Sequence, residues 1–88
     1  MKKGETSSGF KFEVNENVLD NMELVDALAE AQGENPAMIS KVILLVLGKE
    51  QRGRLYEHLR NEDGVVPMTK ASEELTEIFE LMGQEGKN

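Results

Sequence analysis

The chain lacks the residues that most often form disulfides or bind metal ions in a domain of this size. Among its 88 residues there is no cysteine and a single histidine, His58. Disulfides, thiolate metal sites and multi-histidine metal sites are therefore excluded. A chain this short buries only about 60% of the surface that it exposes when unfolded. Its stability must come from packed apolar side chains, with self-association as a further source.

Long apolar runs and positive charge are also scarce. The longest apolar run, Val42 to Leu47, is far shorter than the roughly 20 residues of a membrane-spanning helix. Lys and Arg number 10 against 17 Asp and Glu, a formal charge of −7 that repels nucleic acid phosphates and anionic lipid. Lys2 and Lys3 precede no apolar segment, so a signal peptide is not expected. We expect a cytoplasmic protein that binds neither nucleic acid nor membrane.

The two ends of the chain differ in composition from the part between them. Residues 1–9 are small and polar, and we expect a disordered tail because they bury too little apolar area to offset their ordering entropy. Residues 10–83 are predicted to form a single helical domain. Residues 84–88 are expected to fray.

Residues 10–14 alternate between apolar and polar side chains, which is the period of a half-buried strand. One strand is not stable alone. The segment is predicted either to lie extended, with Phe10 and Phe12 in the core, or to pair with a strand of another chain. Val65 and Val66 are a third candidate, as a strand partner within the chain.

The first predicted helix follows the turn at residues 15–17 and ends at Gly33. Asp20, with Glu23 three residues later, resembles a capping box, and Asn17 is the competing cap. The apolar stripe expected to face the core comprises Val18, Met22, Val25, Leu28 and Ala29.

The second predicted helix has clear start and stop signals. Asn35 is a favourable N-cap, Pro36 suits the first helical position, and Gly48 ends the helix after Leu47. The run 42–47 is apolar on every side, which also suits a buried strand. The cap and the glycine favour the helix.

Two more helices complete the predicted fold. One runs from Lys49 or Glu50 to Asn61, and close helix packing would explain the presence of Gly53 inside it. The other follows Val65-Val66-Pro67 and ends at Gly83. Its apolar face comprises Met68, Ala71, Leu75, Ile78, Phe79 and Met82, with Glu73, Glu74, Glu77 and Glu80 mostly off that face. The sequence therefore predicts a mainly α protein, a small bundle of about four helices with a short N-terminal strand or extended arm.

No pattern of residues indicates catalysis, a cofactor or a metal. His58 is expected at the surface of a helix without a nucleophile beside it. The acidic turn 61–64 lacks the spacing and terminal glutamate of a calcium loop, and the glycines at 48 and 53 do not introduce the Lys-Ser/Thr of a phosphate loop. We therefore predict a protein that is not an enzyme and that acts by binding other proteins.

The second helix is the predicted binding element. Ile39, Val42, Ile43 and Val46 share one face at 100° per residue, and one small bundle covers one face easily. Two interpretations remain open: the helix is central and wrapped on all sides, or its remaining apolar residues are exposed for oligomerisation or for another helix. The candidate protein-binding residues are Met38, Leu44 and Leu45, with Phe10 and Phe12 of the N-terminal arm as a second set.

The order of these segments has a counterpart in a known family. The matching segments are residues 10–14 (FKFEV), 23–30 (ELVDALAE), the Asn35-Pro36 helix through 47–51 (LGKEQ), 55–60 (LYEHLR), 63–67 (DGVVP) and 77–80 (EIFE). Over roughly residues 9 to 83 the chain resembles the short tail assembly chaperones encoded by long-tailed phages and prophages of Gram-positive bacteria.

The resemblance implies a role without catalytic or cofactor residues. Such chaperones bind the long helical tape measure protein, keep it soluble, and help tail tube subunits polymerise around it in the host cytoplasm. They self-associate and are absent from the finished virion. A small acidic regulatory or inhibitor protein that binds a basic partner, and a structural head–tail component, remain as alternatives.

Overall fold

The computed structural model describes residues 1–32 and 37–85. Within these residues the fold is mainly helical and carries a two-stranded hairpin at its N-terminus. The elements are β1 (Lys2–Glu5), β2 (Lys11–Val14), a 3-10 helix (Glu16–Leu19), α1 (Met22–Gln32), α2 (Met38–Leu59) and α3 (Met68–Glu85). The predicted mainly α class with a short N-terminal strand is confirmed.

The predicted strand at residues 10–14 pairs with the chain's own N-terminus. β2 runs antiparallel to β1, with Gly4 opposite Phe12. Phe12 and Val14 are buried while Lys11 and Glu13 are exposed, as the alternation predicted. The ring of Phe12 lies over Gly4, where an added Cβ would come within 2.6 Å of Phe12 Cζ. The suggested pairing with Val65 and Val66 is wrong.

The prediction of a disordered tail at residues 1–9 is also wrong for the strand and the loop that follows it. β1 gains cross-strand hydrogen bonds from β2, a source of stability that composition alone does not reveal. Thr6 is buried, and its side chain donates a hydrogen bond to Glu74 on α3 at 2.8 Å. The N-terminal residues therefore pack with the helices that were assigned to residues 10–83.

The outer edge of β2 is covered by a side chain of α2. The Glu13 backbone N–H donates to Gln51 Oε1 at 2.8 Å, and Gln51 Nε2 donates back to the Glu13 carbonyl at 2.7 Å. The amide thus takes the place of a neighbouring strand at this residue. A covered edge does not offer its backbone groups to another chain.

Two asparagines begin the helices that follow the hairpin. Asn15 accepts a hydrogen bond from the Asn17 backbone N–H and caps the 3-10 helix. Asn21 accepts from the Glu23 backbone N–H at 2.9 Å and begins α1. The predicted caps, Asp20 and Asn17, are therefore wrong, because the 3-10 turn ends at residue 19 and a new cap starts the α-helix.

The face of α1 that packs on the core shares only Leu28 with the predicted one. Leu24 and Ala27 are buried, and Leu28 and Ala31 pack beside them. Of the predicted stripe, Met22 and Val25 are exposed large hydrophobic residues. The helix has two apolar stripes, and periodicity alone did not distinguish the one that α2 covers.

The helices expected on either side of Gly48 are joined in α2, so the described residues form three α-helices instead of about four. Gly48 breaks the helical backbone, with φ 84° and ψ 168°, so the predicted helix stop at Gly48 is confirmed. We call residues 38–47 the N-terminal arm of α2, residues 49–59 its C-terminal arm, and the bend at Gly48 the elbow. The residues 42–47 are helical, as predicted, while the predicted Gly33 stop and Asn35-Pro36 cap lie outside the described residues.

The two arms of α2 fold back on each other. The hydroxyls of Ser40 and Tyr56 lie 3.1 Å apart, although sixteen residues of straight helix would separate them by about 24 Å. Arg52 also donates to Ser40 Oγ at 3.2 Å. Gly53 does not support close packing as predicted, because a Cβ there would meet nothing within 4 Å.

α3 carries the clearest predicted face, and the structure bears out most of it. Ala71, Leu75, Ile78 and Met82 are buried, whereas Met68 is 56% exposed. The predicted stop at Gly83 is wrong, since α3 continues to Glu85, and of the tail expected to fray, residues 86–88 lie outside the described residues. The core of the protein forms where this face meets β2, α1 and α2.

One exposed ion pair closes the end of α2. Arg60 Nη2 donates to Glu57 Oε2 at 2.6 Å, and Arg60 Nη1 donates to the Gly64 carbonyl at 2.8 Å. The hydrogen bond from Arg60, and then its charge, lower the pKa of Glu57 and in return raise the pKa of Arg60. The folded pKa of Glu57 is thus below its unfolded value. The pair contributes to stability above the unfolded pKa, and the contribution is lost as the pH falls through the folded value.

We expect Arg60→Ala to raise the pKa of Glu57 towards the ordinary value of a glutamate, measured by NMR titration of its carboxyl carbon. The unfolding midpoint should hardly change, because exposed ion pairs contribute little. Arg54→Ala is the matched control. Arg54 lies on the C-terminal arm of α2, as Glu57 does, but it bonds Gln51 and not Glu57. A Glu57 pKa that does not respond to Arg60→Ala would contradict this reading of the pair.

Candidate protein-binding surface

The N-terminal candidates for protein binding are core residues. Phe10 and Phe12 are 4% and 3% exposed. The ring of Phe10 lies 5.6 Å from that of His58, and the Arg54 guanidinium lies 5.5 Å from its centroid. The monomer surface therefore does not present these phenylalanines to a partner. This agrees with the alternative in which the arm buries them in the core.

The candidates on the second predicted helix are half-buried. Met38 and Leu45 are partly buried and pack against the core cluster. Leu44 follows Ser40 by one turn, on the side that the C-terminal arm approaches. Leu44 is half-buried as well. Whether these three side chains bind a partner stays a prediction.

An apolar cleft opens beside the same helix, at the open end of the elbow. It has a volume of about 350 Å³. The buried residues Ile43 and Ala71 form its base, and Met68 lies at its rim with more than half of its surface exposed. The lining is completed by Ala37, Ile39, Ser40, Tyr56 and Val66. We call this the α2–α3 cleft.

Polar contacts fix the wall of the α2–α3 cleft. The Tyr56 hydroxyl is held at Ser40, and the Arg52 guanidinium stacks 5.9 Å from the Tyr56 ring centroid. Ile39 and Ile43 belong to one side of the N-terminal arm, and Tyr56 reaches across from the C-terminal arm. The cleft exists because the elbow brings the two arms together, so the spacing of residues in the sequence did not reveal it.

The chemistry of the cleft suits an apolar side chain. Its volume is at the low end of the range of small ligand sites, and its lining offers only the hydroxyls of Ser40 and Tyr56, which already bond each other. An amphipathic helix binds in such a place by inserting one or two apolar side chains into the groove. Met68 is a flexible apolar residue of the kind that adapts to different partners.

A second cluster joins the N-terminal loop to two helices and contains a serine beside a histidine. Ser8 Oγ lies 3.0 Å from His58 Nε2 and 3.1 Å from Thr6 Oγ1. Thr6 donates its proton to Glu74, so its oxygen accepts from Ser8. Ser8 can bond both neighbours only with its proton directed to Thr6 and with His58 Nε2–H donating to it. This order is the reverse of the one that activates a serine nucleophile, in which the hydroxyl donates to the imidazole.

The same loop bonds a further carboxylate of α3. Glu77 accepts hydrogen bonds from the Ser7 backbone N–H at 2.6 Å and from Ser7 Oγ at 3.0 Å. Glu74 is buried, so the expectation that the α3 glutamates are solvent-facing is wrong for Glu74 and only partly right for Glu77. We call residues 6–8 with Glu74 and Glu77 the N-terminal latch. The N-terminal latch holds the hairpin on α3, so we assign it a structural role.

Three comparisons complete the description of these surfaces. Family models, curated proteins and solved structures gave no match to this chain. No group of three histidine or acidic side chains in the described residues is arranged to hold a metal ion. No helix in residues 1–32 or 37–85 has the length and apolar character to cross a membrane.

Proposed function

We propose that this chain is a non-catalytic assembly chaperone that holds an apolar segment of a helical client in the α2–α3 cleft. The observation that carries the proposal is an open apolar cleft whose rim residue, Met68, is left largely exposed. Exposure of the Met68 side chain does not stabilise the monomer, and exposed apolar surface commonly marks a binding site. The excess of acidic residues keeps a complex with an apolar client in solution.

The specific client follows from the family resemblance. In a tail assembly chaperone it is the tape measure protein, a long helical chain, with the tail tube protein as a second partner and self-association among copies. The work would be done in the cytoplasm of a bacterial host, and the protein would be absent from finished particles. The α2–α3 cleft supports the binding of a helical client, and the resemblance supplies the client's identity.

Coexpression with a phage tape measure protein tests this role. We expect the wild-type chain to increase the soluble fraction of that protein, and Met68→Glu to remove the effect, because a charge at the rim cannot be desolvated against an apolar client. Burying one methionine is worth about 1.5–3 kcal/mol, so affinity should fall about tenfold or more.

Val65→Glu is the matched control for this experiment. Val65 is 53% exposed, close to the 56% of Met68, but it does not line the cleft. We expect Val65→Glu to solubilise the client as well as the wild type does, and circular dichroism to show both variants folded. Absence of any rescue by the wild type would sink the chaperone role. Equal rescue by Met68→Glu would remove the cleft from it.

A regulatory protein that binds a basic partner remains the second candidate, and an observation supports it. Glu73 and Glu80 lie exposed on the outer side of α3, with Glu77 between them. A contact made through these carboxylates should weaken steeply as salt is added, whereas one made through the α2–α3 cleft should change little. Measuring client affinity at two salt concentrations separates the two functions.

A further inference from the structure

The outer half of α1 carries an apolar strip beside an acidic strip. Leu24, Ala27, Leu28 and Ala31 face the core, which turns the opposite half of the helix to solvent. On that half Met22 is 69% exposed and Val25 is 48% exposed. We call this surface the α1 outer face. Its apolar strip is Met22, Val25 and Ala29, and its acidic strip is Glu23, Asp26 and Glu30.

The net charge of the protein is carried by the sequence segment that contains this face. Residues 12–40 contain seven acidic residues and no lysine or arginine. The rest of the chain contains ten acidic and ten basic residues, so the formal charge of −7 belongs entirely to this segment. In the part of the chain that the structure describes, none of Glu23, Asp26 and Glu30 forms an ion pair. Their charge is therefore available to a partner.

We propose that the α1 outer face binds an amphipathic helix that carries an apolar row beside a row of lysine or arginine. The apolar row would cover Met22 and Val25, and the basic row would lie along Glu23, Asp26 and Glu30. Two helices that pack at a shallow angle bring such neighbouring rows into register over several turns. Leu19, in the 3-10 helix that precedes α1, is a further exposed apolar residue, at 43%.

The charge pattern selects this occupant over the others. A second copy of the chain that packed symmetrically through this face would bring a like acidic strip against this one, and nucleic acid or an anionic membrane would be repelled in the same way. A neutral apolar helix would cover Met22 and Val25 but leave three carboxylates without partners beside a drying interface. Complementary charge also speeds the encounter and fixes the register of the two helices.

This inference goes beyond the proposed function, because it concerns a different surface from the α2–α3 cleft. Its test uses the purified full chain and synthetic peptides, so its outcome does not depend on the client coexpression experiment. The probes are three peptides of about 18 residues, long enough to form a helix on binding. The first has a leucine row beside a lysine row, the second replaces lysine with glutamate, and the third has the composition of the first in an order that forms no face.

We expect the leucine–lysine peptide to bind, with NMR shifts concentrated on α1, and the other two peptides to bind at least tenfold more weakly. Val25→Glu should reduce the affinity about tenfold or more, while Val65→Glu, at a residue of similar exposure, should leave it unchanged. Equal binding of the rearranged peptide, or no binding of the first, would overturn the proposal.

Removing charge gives an independent readout. The triple variant Glu23→Gln, Asp26→Asn, Glu30→Gln should weaken binding and flatten its dependence on salt. The matched control removes three charges elsewhere, with Glu5→Gln, Glu50→Gln and Glu62→Gln, all at exposed residues. If both triple variants lose affinity equally, the peptide responds only to net charge and the α1 outer face is not its site.

Discussion

Gly48→Ala is expected to destabilise the protein by about 2–3 kcal/mol and to open the elbow of α2. Gly48 has φ 84° and ψ 168°, a combination that residues with a Cβ adopt only at such a cost. A Cβ there would meet nothing within 4 Å, so the penalty arises in the backbone and not from a clash. Alanine prefers helical angles, which would straighten α2 and move Ser40 away from Tyr56.

Gly53→Ala is the matched control for this prediction. Gly53 lies five residues further on in the same helix, in helical conformation and exposed, and a Cβ there also meets nothing. The same substitution should therefore stabilise the protein by about 1 kcal/mol. Urea unfolding of both variants measures the two changes. If both glycines respond alike, the elbow does not depend on the conformation of Gly48.

The elbow also links this prediction to function. The wall of the α2–α3 cleft formed by Tyr56 depends on the return of the C-terminal arm. Gly48→Ala should therefore reduce client solubilisation even at temperatures where the variant is folded. Gly53→Ala should leave client binding intact. Loss of stability without any loss of client binding would show that the cleft is not the binding site.

Thr6→Val is expected to destabilise the protein by about 2 kcal/mol. It removes the hydrogen bond to Glu74, a residue that is only 6% exposed, and hydrogen bonds to charged groups contribute more than neutral ones. Valine keeps the shape of threonine but leaves the buried carboxylate without this donor. The N-terminal latch should then loosen, with faster hydrogen exchange in β1.

A double-mutant cycle separates this bond from general effects of the substitution. Thr6→Val and Glu74→Gln should be non-additive in unfolding free energy, since each removes the same partner contact. Thr76→Val is the matched control, because Thr76 is exposed and its hydroxyl bonds only the Ser72 carbonyl one turn back. It should change stability by a few tenths of a kcal/mol. Additive effects at Thr6 and Glu74 would contradict the N-terminal latch.

The alternation at residues 10–14 and the α3 face were predictable because each depends on local periodicity and a large excess of apolar residues on one side. The strand partner of β2 was not predictable in the same way. Lys2 to Glu5 are polar and carry no strand pattern, and only the pairing with β2 and the packing of Phe12 on Gly4 order them. Pairing between strands depends on contacts distant in sequence.

The candidate binding surface was likewise predictable only in part from the sequence. The second predicted helix was placed correctly over residues 42–47, yet its residues Leu44, Leu45 and Met38 are half-buried. The sequence offered two apolar stripes on α1, and the stripe predicted to be core is largely exposed, since Met22 and Val25 lie outside while Leu28 packs on the core. A helical wheel shows that apolar stripes exist. It does not show which of them a neighbouring helix covers.

The sequence by itself determined a mainly helical, acidic chain with apolar faces on its helices and no pattern for catalysis or a cofactor. These properties follow from composition and from spacings of a few residues. Only the tertiary structure decided that Gly48 folds α2 back to form a cleft, that Thr6 meets Glu74, and that Met22 and Val25 remain outside. Those outcomes depend on which segments distant in sequence pack together, and burial is a property of that packing and not of the residue type.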